Sequence, residues 1–111
     1  MRSDTGAGSV LAIGLVGAVT ALAMVAIPLY VVLSTRSAVA AAADAAALAA
    51  ADVRVGVTGG LPCAVAAEVA AANATVLTAC ELDGLVATVR VERVVAGLSV
   101  SATATAGPPD D

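Results

Sequence analysis

The chain contains no histidine, lysine, phenylalanine or tryptophan, and Tyr30 is its one aromatic residue. Without histidine it lacks the side chain that titrates near neutral pH and most often serves as general base or metal ligand. The sequence also contains no nucleophile elbow and no paired carboxylates of the kind that acid–base catalysis uses. We therefore expect no enzyme active site, no metal site and no cofactor.

Positive charge is also scarce. Five arginines stand against nine aspartates and glutamates, which gives a net charge of −4. A nucleic-acid-binding surface needs a basic stripe that displaces counterions from phosphates. We expect neither a nucleic-acid partner nor a small-molecule substrate, which leaves lipid and other proteins as partners.

Two cysteines, Cys63 and Cys80, are present. They are reducible thiols if the segment is cytosolic and a structural disulfide if it is exported. A closed zinc site would need further ligands from carboxylates or a second chain. A domain of about 60 residues without large aromatics commonly needs a covalent link. We expect a disulfide that contributes roughly 3 kcal/mol in the chain-entropy model.

A long apolar segment opens the chain, because no residue from Thr5 to Thr35 is charged. Its most apolar part, from Val10 to Leu33, spans roughly 36 Å as a helix, which exceeds a hydrocarbon core of about 30 Å. Its leucines, isoleucines and valines favour insertion. We predict a cytoplasmic tail over residues 1–6 and a transmembrane helix over residues 7–35.

A cleaved signal peptide is the alternative, because Ala38-Val39-Ala40 has the small-x-small form that signal peptidase accepts. Signal peptides have apolar regions of about 7 to 15 residues, and Arg36 lies between this longer segment and the candidate site. The length favours a retained anchor. Under the alternative, the product is a small secreted domain with a disulfide.

Orientation is decided by few charges, because Arg2 precedes the segment while Arg36 and Arg54 follow it. The positive charges on the two sides of the segment therefore nearly balance, and the positive-inside rule gives little indication of orientation. A short N-terminal tail is easily retained, and a disulfide requires export of the C-terminal part. We predict a single-pass protein of the cytoplasmic membrane with the N-terminus inside and the C-terminal domain outside.

Small residues recur four apart within this segment, as Gly14 with Ala18 and Gly17 with Ala21. Such pairs place small side chains on one face, where another helix can approach closely. Glycine and alanine are also simply frequent here, so an interface and a compositional accident both remain open.

Pro28 lies inside the same segment. Its ring nitrogen cannot donate to the carbonyl of Met24, so we expect a bend in the outer half of the helix.

An alanine-rich stretch follows at residues 36–52, without glycine or proline. Alanine is the strongest helix former, so we predict that the helix continues outward until Gly56. Asp44 is a candidate contact for an arginine or N-terminus of a neighbouring subunit. A solvated charge is the more frequent role of such a residue.

Residues 53–106 are predicted to form a small extracytoplasmic α+β domain. We expect a short helix from Pro62 to Asn73, a strand over residues 75–82, and a type I′ turn at Asp83-Gly84. The return strand should place Leu85, Ala87, Val89 and Val91 on one face. A third strand is expected over residues 98–106, completing a three-stranded antiparallel meander that packs on the outer half of the anchor helix. Residues 107–111 should be disordered.

One stretch resembles a known family. The run RSAVAAAADAAALAAA from Arg36 to Ala51 resembles the juxtamembrane segment of the TadE/TadG-like proteins of the bacterial Tad (Flp) pilus-assembly system. The features shared with the short, two-cysteine TadE-like branch are Pro62-Cys63, Ala71-Ala72-Asn73-Ala74, Cys80 and Asp83-Gly84.

The resemblance implies a pilin-like fold and a structural role as a minor pilin or pseudopilin-like component of a pilus or secretion apparatus. It also implies contact with other pilin-like subunits through the N-terminal helix. Proteins processed by prepilin peptidase carry a glycine followed five residues later by glutamate. Here Leu11 and Ile13 stand at that distance from Gly6 and Gly8, so we expect no cleavage at either glycine.

Overall fold

The computed structural model describes residues 2–109, with side chains from residue 6 onward. It contains helix α1 (Arg2–Arg54), helix α2 (Pro62–Ala72) and strands β1 (Val76–Asp83), β2 (Val86–Val95) and β3 (Leu98–Ala106). The three strands form one antiparallel sheet. The α+β class and the order of elements are as predicted. Met1, Asp110 and Asp111 lie outside the described residues, so the predicted tails over residues 1–6 and 107–111 are described only in part.

Two compact units make up the chain, Met1–Leu33 and Ser34–Asp111. The described part of the first unit is helix alone, and its side chains from residue 6 onward are largely exposed. The α1 helix continues through Pro28. The bend expected from the lost hydrogen bond to Met24 stays a prediction.

The core of the second unit is built on one face of α1. Buried side chains recur at three- and four-residue spacing, which is the helical period: Val39, Ala42, Ala43, Ala46, Ala47, Ala50 and Ala51. They form one cluster with Ala66 and Ala70 of α2 and with residues of the sheet. The stretch predicted as a juxtamembrane helix is therefore an integral part of the domain core. In α2 the fully buried residues are Ala66 and Ala70, which are four apart and so lie on one face of the helix.

The sheet runs in the order β1-β2-β3, and its central strand confirms the predicted alternation. Ala87, Val89 and Val91 are fully buried, whereas Arg90 on the other face is exposed. The outward face carries polar contacts, including one of 3.1 Å between the hydroxyls of Thr88 and Thr105. One face of the sheet thus closes the core and the other faces solvent.

The two hairpin turns differ from the expected chemistry. Asp83 pairs with Val86, so the two loop residues are Gly84 and Leu85 rather than Asp83 and Gly84. Gly84 has a positive φ of 62° and Leu85 does not, which matches a type II′ turn. The predicted type I′ turn was therefore wrong in type and in position by one residue, and Leu85 lies in the turn, 47% exposed.

The type I′ pattern occurs instead between β2 and β3. Val95 pairs with Leu98, and the two loop residues Ala96 and Gly97 have φ values of 53° and 78°. Positive φ at both loop residues defines this turn type and normally selects Asn-Gly or Gly-Gly.

Both helices end in the same capping motif. At the end of α1, Gly56 N–H donates to Val53 and Val57 N–H donates to Asp52. At the end of α2, Ala74 N–H donates to Ala71 and Thr75 N–H to Ala70. This is the Schellman arrangement, whose penultimate residue adopts a left-handed conformation. Gly56 occupies that position in α1, but Ala74 occupies it in α2, with a φ of 57°.

Candidate membrane and partner interfaces

The largest candidate interface is the apolar surface of α1 up to Leu33. Its large apolar side chains are between 36% and 74% exposed: Val10, Leu11, Ile13, Leu15, Val16, Val19, Leu22, Met24, Val25, Ile27, Leu29, Val31, Val32 and Leu33. The helix from Gly6 is long and apolar enough to cross a membrane, and none of its most apolar window is buried. A signal sequence near an N-terminus has the same length and composition. A contiguous exposed apolar surface of this size marks a membrane or protein contact.

The hydroxyl groups of Thr20 and Tyr30 on this surface are compatible with an apolar environment. The hydroxyl of Thr20 donates to the carbonyl oxygen of Val16 at 2.8 Å, so its donor is satisfied within the helix. Tyr30 lies near the C-terminal end of the apolar run and is 71% exposed. Tyrosine is enriched at membrane–water interfaces because its ring is apolar and its hydroxyl is polar.

The small residues of α1 lie open to contact. Gly14, Gly17, Ala18 and Ala21 are all exposed, and their spacing places them on one helix face. A Cβ atom added at Gly14 or Gly17 would meet no atom within 4 Å. Larger side chains at these positions would therefore meet no other part of the described chain. Helix association through this face stays a prediction.

Asp44 is exposed, between the buried neighbours Ala43 and Ala46. It lies on the face of α1 that points away from the core, where it is accessible to a neighbouring subunit or to solvent. Its role as a subunit contact stays a prediction.

Cys63 and Cys80 are joined by a disulfide, with 5.9 Å between their Cα atoms. Cys63 is the second residue of α2, and Cys80 lies in β1, where it packs against the core. The bond therefore holds α2 on the sheet.

Two arginines have structural partners that the sequence did not reveal. Arg93 donates from Nη2 to the carbonyl of Asn73 at 2.7 Å and from Nε to that of Ala74 at 2.8 Å. Arg54 donates from Nε to the carbonyl of Gly84 at 2.6 Å. The partners of Arg93 lie 19 and 20 residues away along the chain, and the partner of Arg54 lies 30 residues away. No local pattern indicates such a contact.

Two open grooves lie on the second unit. One lies at the end of the sheet beside Val76, Thr78 and Val94, and another lies beside Leu48, Val55 and Pro108. Among the described residues, no three histidine, cysteine, aspartate or glutamate side chains come together as a metal site.

Comparison with known proteins gives no relative: no family model, curated protein sequence or solved structure matches the chain.

Proposed function

We propose that this protein is a structural, membrane-anchored component, minor pilin or pseudopilin-like, of a Tad/Flp-type pilus or a related secretion apparatus. The α1 helix up to residue 35 serves as a single-pass anchor in the cytoplasmic membrane, with the N-terminus inside and residues 53–106 outside. Its mechanism is packing beside the helices of other pilin-like subunits, without catalysis.

The observation that carries this proposal is the uncovered apolar surface of α1. From Val10 to Leu33 the helix presents large apolar side chains to its surroundings, and burying such side chains is worth about 1.5–3 kcal/mol each. Lipid and neighbouring apolar helices are the surroundings that provide this burial. The resemblance of residues 36–51 to TadE/TadG-like proteins supports the specific apparatus.

Two further features support retention of the anchor and export of the domain. Val39 is fully buried and is one of the largest side chains in the core. Cleavage after Ala40 would remove it, at a cost of about 1.5–3 kcal/mol in lost burial. The disulfide between Cys63 and Cys80 is of the kind that persists in oxidising compartments outside the cytoplasm.

The alternative is a small secreted disulfide domain, released by signal peptidase at Ala38-Val39-Ala40. It shares the same domain and disulfide but leaves α1 up to residue 40 behind. The two differ in the mass and the location of the mature chain.

Photo-crosslinking from α1 tests the packing mechanism. A photoreactive amino acid replaces Val25, which is four and eight residues from Ala21 and Gly17 and is 69% exposed. In native membranes it should form adducts with neighbouring subunits. The double variant Gly14→Leu, Gly17→Leu should reduce these adducts several-fold while the protein stays in the membrane fraction.

The matched control is Ala12→Leu, Ala23→Leu, which adds nearly the same bulk to the opposite face of the helix. It should leave the adducts unchanged. Equal crosslinking in all variants would contradict packing through the small-residue face, and recovery of the protein in the soluble fraction would contradict the anchor.

A further inference from the structure

The two ends of the three-stranded sheet lie at different levels along α1. At the β1–β2 turn, Arg54, the last residue of α1, donates from Nε to the carbonyl of Gly84 at 2.6 Å. The chain leaving β3 lies at the same level, because Pro108 and Asp52 line one groove. The β2–β3 turn therefore lies at the opposite end of the sheet, toward the start of the second unit.

The length of the strands brings the β2–β3 turn close to that start. From Val86 to Val95, β2 rises about 30 Å at roughly 3.3 Å per residue. Helix α1 covers the same distance in about 20 residues, from Arg54 back to Ser34. Inclination of the strand to the helix shortens this reach, but the buried Val39 extends the core to within about 8 Å of Ser34. The turn therefore lies near the level at which α1 enters the second unit.

The hairpin tip, defined as residues 94–98, is apolar and uncharged. No residue from Val94 to Val100 carries a charge, and the side chains of Val94 and Leu98 are 69% and 61% exposed. Val94 pairs with Ser99 on the outward face of the sheet, whereas Leu98 pairs with Val95 on the core side. A partner docked on one face would cover only one of the two exposed side chains. A medium that surrounds the hairpin tip would cover both.

The nearest charged residues are compatible with such a medium. Arg93 is half-buried, and its guanidinium is bonded to the carbonyls at the end of α2. Glu92 is also half-buried and accepts a hydrogen bond from the hydroxyl of Ser99. On α1, the exposed Arg36 lies at the same end of the second unit. A long arginine side chain can place its guanidinium among lipid headgroups while its stem lies along apolar surface.

The opposite end of the second unit is charged. Glu81 and Asp83 are exposed close to the β1–β2 turn, where Arg54 also lies. The loop after α1 exposes the apolar residues Val57 and Leu61, but covering this end with an apolar medium would also desolvate the carboxylates. The uncharged hairpin tip is therefore the end of the sheet that suits lipid.

We propose that the hairpin tip inserts into the lipid interface and forms a second membrane contact beside the anchor. This inference rests on the proposed function, because the anchor brings the bilayer to this end of the domain. The anchor ends at Thr35, at the start of the second unit, so the surface of the bilayer lies near the level of the hairpin tip. Exposed apolar side chains at such a level mark a membrane contact. Two contacts would fix the rotation of the domain on the membrane.

Tryptophan fluorescence tests this contact, because the chain contains no tryptophan. The full-length variants Leu98→Trp and Leu85→Trp are reconstituted in phosphatidylcholine vesicles with and without bromine on the acyl chains. Bromine quenches tryptophan only at short range. Leu98→Trp should emit at shorter wavelength than Leu85→Trp and lose most of its emission in the brominated lipid. Leu85, which is 47% exposed in the opposite turn, is the matched control and should keep its emission.

A third variant, Val25→Trp, reports on the anchor in the same vesicles. Val25 is 69% exposed within the apolar segment, so its tryptophan should be strongly quenched. Quenching of Val25→Trp without quenching of Leu98→Trp would overturn the hairpin contact and leave the anchor intact. Absence of quenching in Val25→Trp would contradict the anchor itself, and the inference would fail with it.

An added charge tests whether the hairpin tip itself makes the contact. Val94→Glu, combined with Leu98→Trp, should shift the emission to longer wavelength and reduce the quenching, because a carboxylate resists burial in lipid. Thr103→Glu is the matched control, since it adds the same charge to an exposed position of β3 farther from the hairpin tip. It should leave the quenching unchanged.

Equal effects of Val94→Glu and Thr103→Glu would overturn the proposal, and so would equal quenching of Leu98→Trp and Leu85→Trp. Emission of Leu98→Trp at short wavelength that the brominated lipid does not quench would also overturn it, because a protein would then cover the hairpin tip.

Discussion

The guanidinium of Arg93 lies 2.7 Å from the backbone carbonyl oxygen of Asn73, so a strand residue closes the end of helix α2. The same guanidinium also donates to the carbonyl of Ala74 at 2.8 Å. The last carbonyl groups of a helix have no partner within it, and cationic side chains satisfy them well. This contact joins the helix to the central strand of the sheet.

Replacing Arg93 should therefore destabilise the second unit. Arg93→Ala is expected to lower its free energy of unfolding by about 1–2 kcal/mol, because two charge-assisted hydrogen bonds are lost. Arg90→Ala on the same strand is the control and should cost less than about 0.5 kcal/mol. Hydrogen exchange of the strand amides, measured in detergent, reports both values. Equal destabilisation by the two variants would show that Arg93 does not act as a cap.

The C-terminal caps of the two helices give a second prediction, in which two substitutions change the stability of the second unit in opposite directions. Ala74→Gly should stabilise the second unit by about 0.5–1 kcal/mol, because glycine adopts the left-handed conformation without steric cost. Gly56→Ala should destabilise it by a similar amount. No atom lies within 4 Å of a Cβ at Gly56, so this cost would come from the backbone alone. Chemical unfolding of the two variants measures both changes in the free energy of unfolding. If both variants are stabilised, or both are destabilised, the assigned capping motif is contradicted.

The β2–β3 turn gives a third prediction. Ala96→Asn creates the Asn-Gly pair that type I′ turns favour, and should stabilise the hairpin by about 0.5–1 kcal/mol. Leu85→Gly in the other turn is the comparison, because Leu85 does not have a positive φ and glycine there only adds freedom to the unfolded chain. It should give no gain of this kind. Thermal unfolding of both variants distinguishes them, and equal gains would contradict the two turn types.

The disulfide is open to a fourth test. Cys63→Ala, Cys80→Ala should reduce the free energy of unfolding by roughly 3 kcal/mol, since the bond closes a loop of the unfolded chain. Adding reductant to the wild-type chain should have a similar effect, whereas it should leave the double variant unchanged. Wild-type unfolding that is insensitive to reductant would show that the bond does not contribute.

The regular elements were predictable because their sequence patterns are local. The alternation around Val89 places β2, the absence of glycine and proline around Asp44 predicts a helix, and Pro62 marks the start of α2. The turn positions were less predictable. Asp83-Gly84 carries a strong hairpin signal, but strand register moved the loop by one residue. Register is fixed by which side chains must enter the core, and that is a property of the whole sheet.

Other features depend on contacts that no local pattern encodes. The bonds from Arg93 to Asn73 and Ala74 join positions that become neighbours only when α2 packs on the sheet. The left-handed conformation of Ala96 is imposed by the two strands on either side, because alanine itself disfavours it. The partners of α1 are encoded in other chains, so this chain supplies only the surface they would contact.

The central claim is that the apolar segment of α1 remains attached to the domain as a permanent membrane anchor. The most direct test is the intact mass of the protein extracted from native membranes under non-reducing conditions. The account predicts a membrane-bound chain that retains Val10 to Leu33 and carries the oxidised Cys63–Cys80 pair. A soluble mature chain that begins at Ala41 would contradict it.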